Sequence, residues 1–314
     1  MVRPIESVDL VIAGPTASGK SRLALALAHA MEAEIISADS RQIYREISVG
    51  TGKLRPEDRE GIPHRLLDCC SLQESYSAGD FVRSAREAIR DIRSRGKGII
   101  LCGGTGLYLE GLLNGLVELP PRPPGHYSSF RENFRELPEE ELYARLRAAD
   151  PDRASQIHPH DRVRILRALY LREEFSLSAT DLYDKFRGRG IGWGAIIGLD
   201  PGRDIRHMNI SERVHAMFAN GWIEEVDDLL ARGFSPSAPG FDSLGYREVI
   251  SFLEGKISRR DLVERVILKT RQYAKRQMTW FRHMDGIRWV DPGRGEGVPL
   301  ELFSKYGTIK KISC

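Results

Sequence analysis

One stretch near the N-terminus constrains this chain more than any other. Val8-Asp9-Leu10-Val11-Ile12-Ala13 is an apolar run, Gly14-Pro15-Thr16-Ala17-Ser18-Gly19 is a glycine-bounded turn, and Lys20-Ser21 opens the helical pattern Arg22-Leu23-Ala24-Leu25-Ala26-Leu27-Ala28. Strand, loop and helix around G-x-x-x-x-G-K-S make a phosphate-binding loop. Gly14 and Gly19 permit backbone angles that a Cβ forbids, so the loop N–H groups converge on an anion at the positive end of a helix. Lys20 adds a point charge, and the Ser21 hydroxyl can ligate a phosphate-bound Mg²⁺. The motif predicts a polyphosphate ligand on Gly14–Ser21 and leaves open whether that ligand is a nucleotide.

A chain of 314 residues is long enough for one large domain, or for one domain carrying a smaller one. An apolar content of 41% supports a real core, and a net charge of only +3 does not by itself demand nucleic acid, so the placement of the cations has to decide that. Cys69, Cys70, Cys102 and Cys314 form no C-x-x-C pair, which argues against a zinc site and predicts a reducing, cytoplasmic setting. Cys102 reads as a small core residue. No apolar run reaches the ~18 residues of a membrane span, and the N-terminus leads straight into a strand, so no signal peptide is expected.

Ala33-Glu34-Ile35-Ile36-Ser37 reads as a second strand that delivers Asp39, Ser40 and Gln42 at its C-terminal end, where open α/β sheets bind ligands. Asp39 has the alternative role of a helix cap. Residues 49–66 read as loop, and Ala78 opens a helix to about Ser94. Gly98–Cys102 reads as a buried parallel strand ending in Gly103-Gly104-Thr105-Gly106, where a phosphate-loop NTPase usually places a Mg²⁺-holding acid. Pro120-Pro121-Arg122-Pro123-Pro124 is a stiff linker. After it, residues 121–190 are expected to form a small inserted helical domain, a lid or second wall, in which Arg162, Arg164, Arg167 and Arg172 crowd one helix. Ile191–Asp200 restores the core. A long helix from Arg203 to Leu230, bent at Gly221, is expected next, with Arg203, Arg206 and Arg213 on one face. The last helix, Ser258 to about Met284, carries an apolar stripe opposite Arg265, Lys269, Gln272 and Arg276. Arg271, Lys275 and Arg282 widen that basic band, with Tyr273 and Trp280 between them, a pattern suited to RNA backbone and unstacked bases. The predicted fold is α/β: a P-loop NTPase-like core over 1–120 and 191–314, its central parallel sheet flanked by helices, plus the insertion.

Taken together, Gly14–Ser21, Ser37-Ala38-Asp39-Ser40 with Gln42 and Tyr44-Arg45, Gly103–Tyr108, Leu244-Gly245-Tyr246 and Thr270–Arg282 resemble the tRNA dimethylallyltransferases, in family order and across nearly the whole chain. Arg41 stands where that family often has Met, His160 and Tyr170 where it has Asn and Glu, and Asn209 where it has Arg four residues before Arg213.

The resemblance implies transfer of a dimethylallyl group from dimethylallyl diphosphate to N6 of the adenosine at tRNA position 37, beside the anticodon. It implies Mg²⁺ as cofactor and the tRNA anticodon stem-loop as partner; a monomer is expected. Lys20 and Arg213 would stabilise the leaving diphosphate, Asp39 would take the amine proton, and Thr105 and Gln42 would line the channel. The tRNA-contacting residues on this reading are Asp39, Ser40, Arg41 and Gln42, then Thr105, Arg164 and Arg167. Gly245, Tyr246 and Arg247 follow, with Lys275, Arg276, Gln277, Trp280 and Arg282 of the last helix. An isopentenyltransferase acting on free adenine nucleotides, a phosphate-loop small-molecule kinase and a non-catalytic RNA-binding module are the alternatives.

Overall fold

The N-terminal apolar run becomes a strand buried along its whole length, β1 (Ser7–Ala13), because both faces of the sheet it enters are covered. The computed structural model describes residues 6–117 and 125–292; the proposed linker at 120–124 and Cys314 lie outside them. The chain runs β1, α1 (Lys20–Met31), β2 (Ala33–Ser37), β3 (His64–Arg65), α2 (Ala78–Ser94), β4 (Gly98–Gly103), α3 (Gly106–Asn114) and α4 (His126–Asn133). It continues with α5 (Glu139–Ala149), α6 (Pro151–Ser155), α7 (Arg162–Phe175), α8 (Ala179–Phe186), β5 (Gly192–Leu199) and α9 (Arg203–Ala219). Last come α10 (Trp222–Ala231), α11 (Tyr246–Leu253), α12 (Arg259–Arg282) and β6 (Ile287–Val290).

The six strands form one sheet in the order β3-β2-β4-β1-β5-β6, every neighbouring pair parallel. Ala13 is in register with Gly103 of β4 and Gly198 of β5, and Ser37 of β2 with Cys102. The segments after β1, β2, β4 and β5 therefore leave the sheet at one edge, the ligand-binding edge of such folds. The one carboxylate inside β1, Asp9, accepts from the Ile99 N–H at 2.8 Å and pairs with Arg93 at 2.9 Å, so the buried charge is compensated.

Two expectations about elements change. The long helix expected from Arg203 is two, because Gly221 sits in the left-handed region at φ +89° and starts α10 as its N-cap. Residues 49–66 are not all loop: Pro56–Arg59 is a 3₁₀ turn, and His64 and Arg65 pair with Ile35 and Ile36 as an edge strand too short to show a period. A Ser258–Asp261 capping box opens α12.

By its internal contacts the chain divides into a unit made of residues up to Asn114 and from Ile191 onward, and a second, Gly115–Gly190. The second is helical, with its own core of Leu142, Leu146, Ile165, Leu166, Leu171 and Leu182. In it Arg162 is not available to a ligand. Its guanidinium donates to the carbonyls of Phe134, Arg135 and Leu137. Arg167 lies over the Tyr127 and Tyr170 rings at 5.3 and 5.4 Å, and Arg164 pairs with Asp161 at 3.4 Å; both are exposed.

Candidate active site

The loop after β1 is held from several sides. A Cβ on Gly14 would come within 2.7 Å of the Leu199 carbonyl, so glycine is what lets the loop lie against β5. Ala17 occupies the left-handed region at φ +61°, an unfavourable conformation for a residue with a Cβ. The Asn209 side chain of α9 donates to its carbonyl at 3.2 Å. The Thr16 N–H donates to Gln277 Oε1 of α12 at 2.8 Å, and Lys20 Nζ donates to the Pro15 carbonyl at 2.5 Å. The start of α1 has neither an acid in its first turn nor a side-chain cap. The buried Ser18 hydroxyl has no hydrogen-bond partner among the described residues. A helix start with free N–H groups, a buried lysine and an orphaned hydroxyl fits an anion.

Beside the loop is a cavity of about 250 Å³, lined by Thr16, Ala17, Ser18, Gly19, Lys20 and Ser21 on one side and by Asp39, Arg41, Gln42 and Gln277 on others. Arg213 enters it from α9, donating to the Thr51 carbonyl at 3.3 Å; the Gln42 amide donates to the Thr51 and Gly52 carbonyls at 3.3 Å. A side chain at Gly52 would collide with the Arg213 guanidinium. Burial pulls the Lys20 ammonium down to about 8, with Asp39 acting in the opposite direction. Burial likewise disfavours the Arg213 charge, and Asp39 offsets it in part. Two desolvated cations thus share one carboxylate, an imbalance that a bound polyanion would relieve.

No helix begins after Asp39 for it to cap; its carboxylate holds a turn instead. Its Oδ1 accepts from the Arg41 N–H at 2.8 Å and the Gln42 N–H at 3.4 Å, which fixes the turn, while Oδ2 has no partner among the described residues. Thr105 clasps this turn: its hydroxyl oxygen accepts from the Ser40 N–H at 3.0 Å, and its N–H donates to the Ala38 carbonyl at 3.2 Å. Tyr273 of α12 reaches the same place. It lines the cavity, and burial together with Asp39 pushes its hydroxyl up to about 12, so it stays protonated. Cys102 packs against the core as expected and also lines the cavity, where burial pushes its thiol up to about 11.

Among the described residues no group of three or more His, Cys, Asp or Glu side chains is placed to hold a metal. The exposed Ser21 hydroxyl at the cavity fits a cation carried in by phosphate oxygens, since Mg²⁺ commonly takes one or two protein ligands plus substrate phosphates.

Several expected RNA contacts are corrected. Tyr246 is fully buried against Trp222 and donates from its hydroxyl to Glu225 at 2.7 Å. That Glu225 carboxylate also accepts from the Ser48 and Val49 N–H groups at 2.7 and 2.8 Å, so Tyr246 braces the segment leading to Thr51 and Gly52. A side chain at Gly245 would strike Trp222, and Arg247 is tied to Asp242 and the Pro236 carbonyl. Gln277 is buried on the inner face of α12, not on its basic face. Trp280 packs over Gly106. Lys275, Arg276 and Arg282 are exposed, Arg276 lying 5.8 Å from the Tyr273 ring centre. Thr51, Gly52 and Cys102 were not singled out by sequence as site residues, and no local pattern marks them.

The model of the IPP transferase family matches residues 42–284. The chain is 40% identical over 283 residues to a tRNA dimethylallyltransferase of Geobacter sulfurreducens, covering 90% of this chain and 91% of that one. It superposes on the crystal structure of a tRNA isopentenylpyrophosphate transferase from Staphylococcus epidermidis with a TM-score of 0.66 and 32% identity, covering 96% and 97% of the two chains. A eukaryotic dimethylallyltransferase acting on tRNA gives a TM-score of 0.76 at 28% identity, over 91% of this chain and 73% of that one.

Proposed function

Because the chain belongs to the IPP transferase family, we propose that it is a tRNA dimethylallyltransferase, moving a dimethylallyl group from its diphosphate to N6 of adenosine 37. The observation that carries this reading is the cavity that unites an anion cradle with a carboxylate on a rigid turn. Lys20, Arg213 and the first amides of α1 face the donor's diphosphate, and the free Oδ2 of Asp39 is left for the acceptor. The lack of an acid after β4 supports a donor that is not hydrolysed in the manner of ATP.

In the reaction the bond between the allylic C1 and the diphosphate oxygen breaks, and its electron pair leaves with pyrophosphate. The N6 lone pair forms the new bond to C1, and the N6 proton passes to Asp39. Lys20 and Arg213 oppose the charge that develops on the leaving group. Ser21 would hold a Mg²⁺ brought by the donor, which would supply further charge neutralisation at the leaving group. The adenine leaves its stack to enter the cavity, as bases must when enzymes act on them. Lys275, Arg276 and Arg282 lie on an exposed helix face suited to RNA phosphates. Among the described residues Cys69, Cys70 and Cys102 form no disulfide, which suits a reducing cytoplasm.

The test is site mapping of nucleosides. An anticodon stem-loop RNA incubated with the protein, dimethylallyl diphosphate and Mg²⁺ should gain one N6-dimethylallyl adenosine, at position 37. An unmodified RNA, or modification scattered over other adenosines, would contradict the proposal.

A further inference from the structure

Gln277 is expected from sequence to face RNA, yet it is only 7% exposed and both ends of its amide are bonded to backbone groups. Its Oε1 accepts from the Thr16 N–H of the phosphate loop at 2.8 Å, and its Nε2 donates to the Gly104 carbonyl at 2.8 Å. Those two backbone groups follow β1 and β4, neighbours whose ladder ends at Ala13 and Gly103. Past that rung the two chains separate, one into the diphosphate cradle and the other into the Thr105 turn that clasps Ser40 and Asp39. The Gln277 amide takes the place of a peptide group and adds one more rung between them. A Cβ at Gly104 would lie 2.5 Å from Nε2, so that glycine is the partner the bridge requires.

We infer that Gln277 is a positioning residue that sets the gap between the leaving-group cradle and the nucleophile side of the site. The inference rests on the prenyl-transfer reading above. Displacement at C1 requires N6, C1 and the departing oxygen to be aligned, and a misplacement of about 1 Å costs on the order of 10²-fold in rate. Gln277 touches neither reacting group in this scheme; it acts through Thr16 and through Gly104 with Thr105.

The experiment uses Gln277→Met and Gln277→Glu in the full-length protein, with melting temperature, pyrophosphate affinity by calorimetry, and steady-state prenyl transfer to tRNA. For Gln277→Met the expectation is a kcat lowered on the order of 10²-fold, with KM for dimethylallyl diphosphate and pyrophosphate affinity close to wild type. Gln277→Glu reproduces both bonds only when its carboxyl is protonated, since a carboxylate cannot donate to the Gly104 carbonyl. Its kcat relative to wild type should therefore rise as pH falls from about 8 to 6, because burial lifts such a carboxyl into that range. A folded Gln277→Met variant with wild-type kcat, or one whose loss lies wholly in KM, overturns the bridge. If Gln277→Met does not fold, a Gln277→Glu deficit independent of pH overturns it. A wild type that transfers no prenyl group to tRNA overturns the underlying reading instead.

Discussion

On the proposed mechanism Asp39 divides its carboxylate between two duties, and the division can be measured. Oδ1 holds the Arg41–Gln42 turn, and Oδ2, without a partner among the described residues, would take the proton. Asp39→Asn keeps an acceptor for the turn and loses the basicity. Its melting temperature should match wild type while single-turnover prenyl transfer falls by about 10²–10⁴-fold. A fully active Asn variant would remove Asp39 from the proton transfer. Lys20 supplies a pH signature. Burial brings it from the usual 10.5 to about 8 in the free protein, so between these values the unfolded chain binds more protons and stability rises with pH. A diphosphate beside Lys20 favours the charged form. Pyrophosphate affinity should therefore be level below pH 8 and decline above it, and binding at pH 9 should take up a proton, read as buffer-dependent heat in calorimetry. Lys20→Met should abolish both effects; an unchanged pH profile would detach Lys20 from the anion.

At the scale of elements, α12 is the organising piece, and on the proposed reading its opposite faces would serve opposite ends of the reaction. Its inner face places Gln277 and Tyr273 at the site, and its outer face exposes Lys275, Arg276 and Arg282. Replacing those three cations by Ala should weaken tRNA binding and reduce the slope of log affinity against log salt by about 2–3, leaving pyrophosphate affinity as in wild type. An unchanged salt slope would place the RNA elsewhere. Much of this arrangement is legible in the chain itself. β1, β2, β4 and β5 are short apolar runs; glycine follows β1 and β4, Ala-Asp follows β2 and Asp-Pro-Gly follows β5, and the phosphate loop is a local motif whose geometry its own residues dictate. Tyr246 and Gln277 were misread for a common reason. Each is polar enough to suit RNA, and each is buried by segments distant in sequence: Tyr246 by Trp222 and Glu225, Gln277 by the two loops it joins. The basic face of α12 follows from helical spacing alone, whereas its inner polar residues acquire partners only once the sheet is assembled. The same holds for Cys102, an ordinary strand residue until the cavity forms beside it.

At the scale of the molecule, the proposed site of a nearly neutral chain is a cavity lined by residues of the first unit, and the second unit has its own hydrophobic core. Among the described residues no helix is long and apolar enough to cross a membrane. The phosphate loop admits a kinase or a free-nucleotide prenyltransferase; family membership, the missing acid after β4 and the cationic face of α12 favour transfer to tRNA. The decisive measurement pairs two donors, labelled dimethylallyl diphosphate and labelled ATP, with two acceptors, tRNA and free AMP, under the same conditions with Mg²⁺. The account predicts label in tRNA from the prenyl donor alone, with one pyrophosphate released per group transferred. Phosphoryl transfer from ATP without prenyl transfer, or prenylation of free AMP in preference to tRNA, would contradict it.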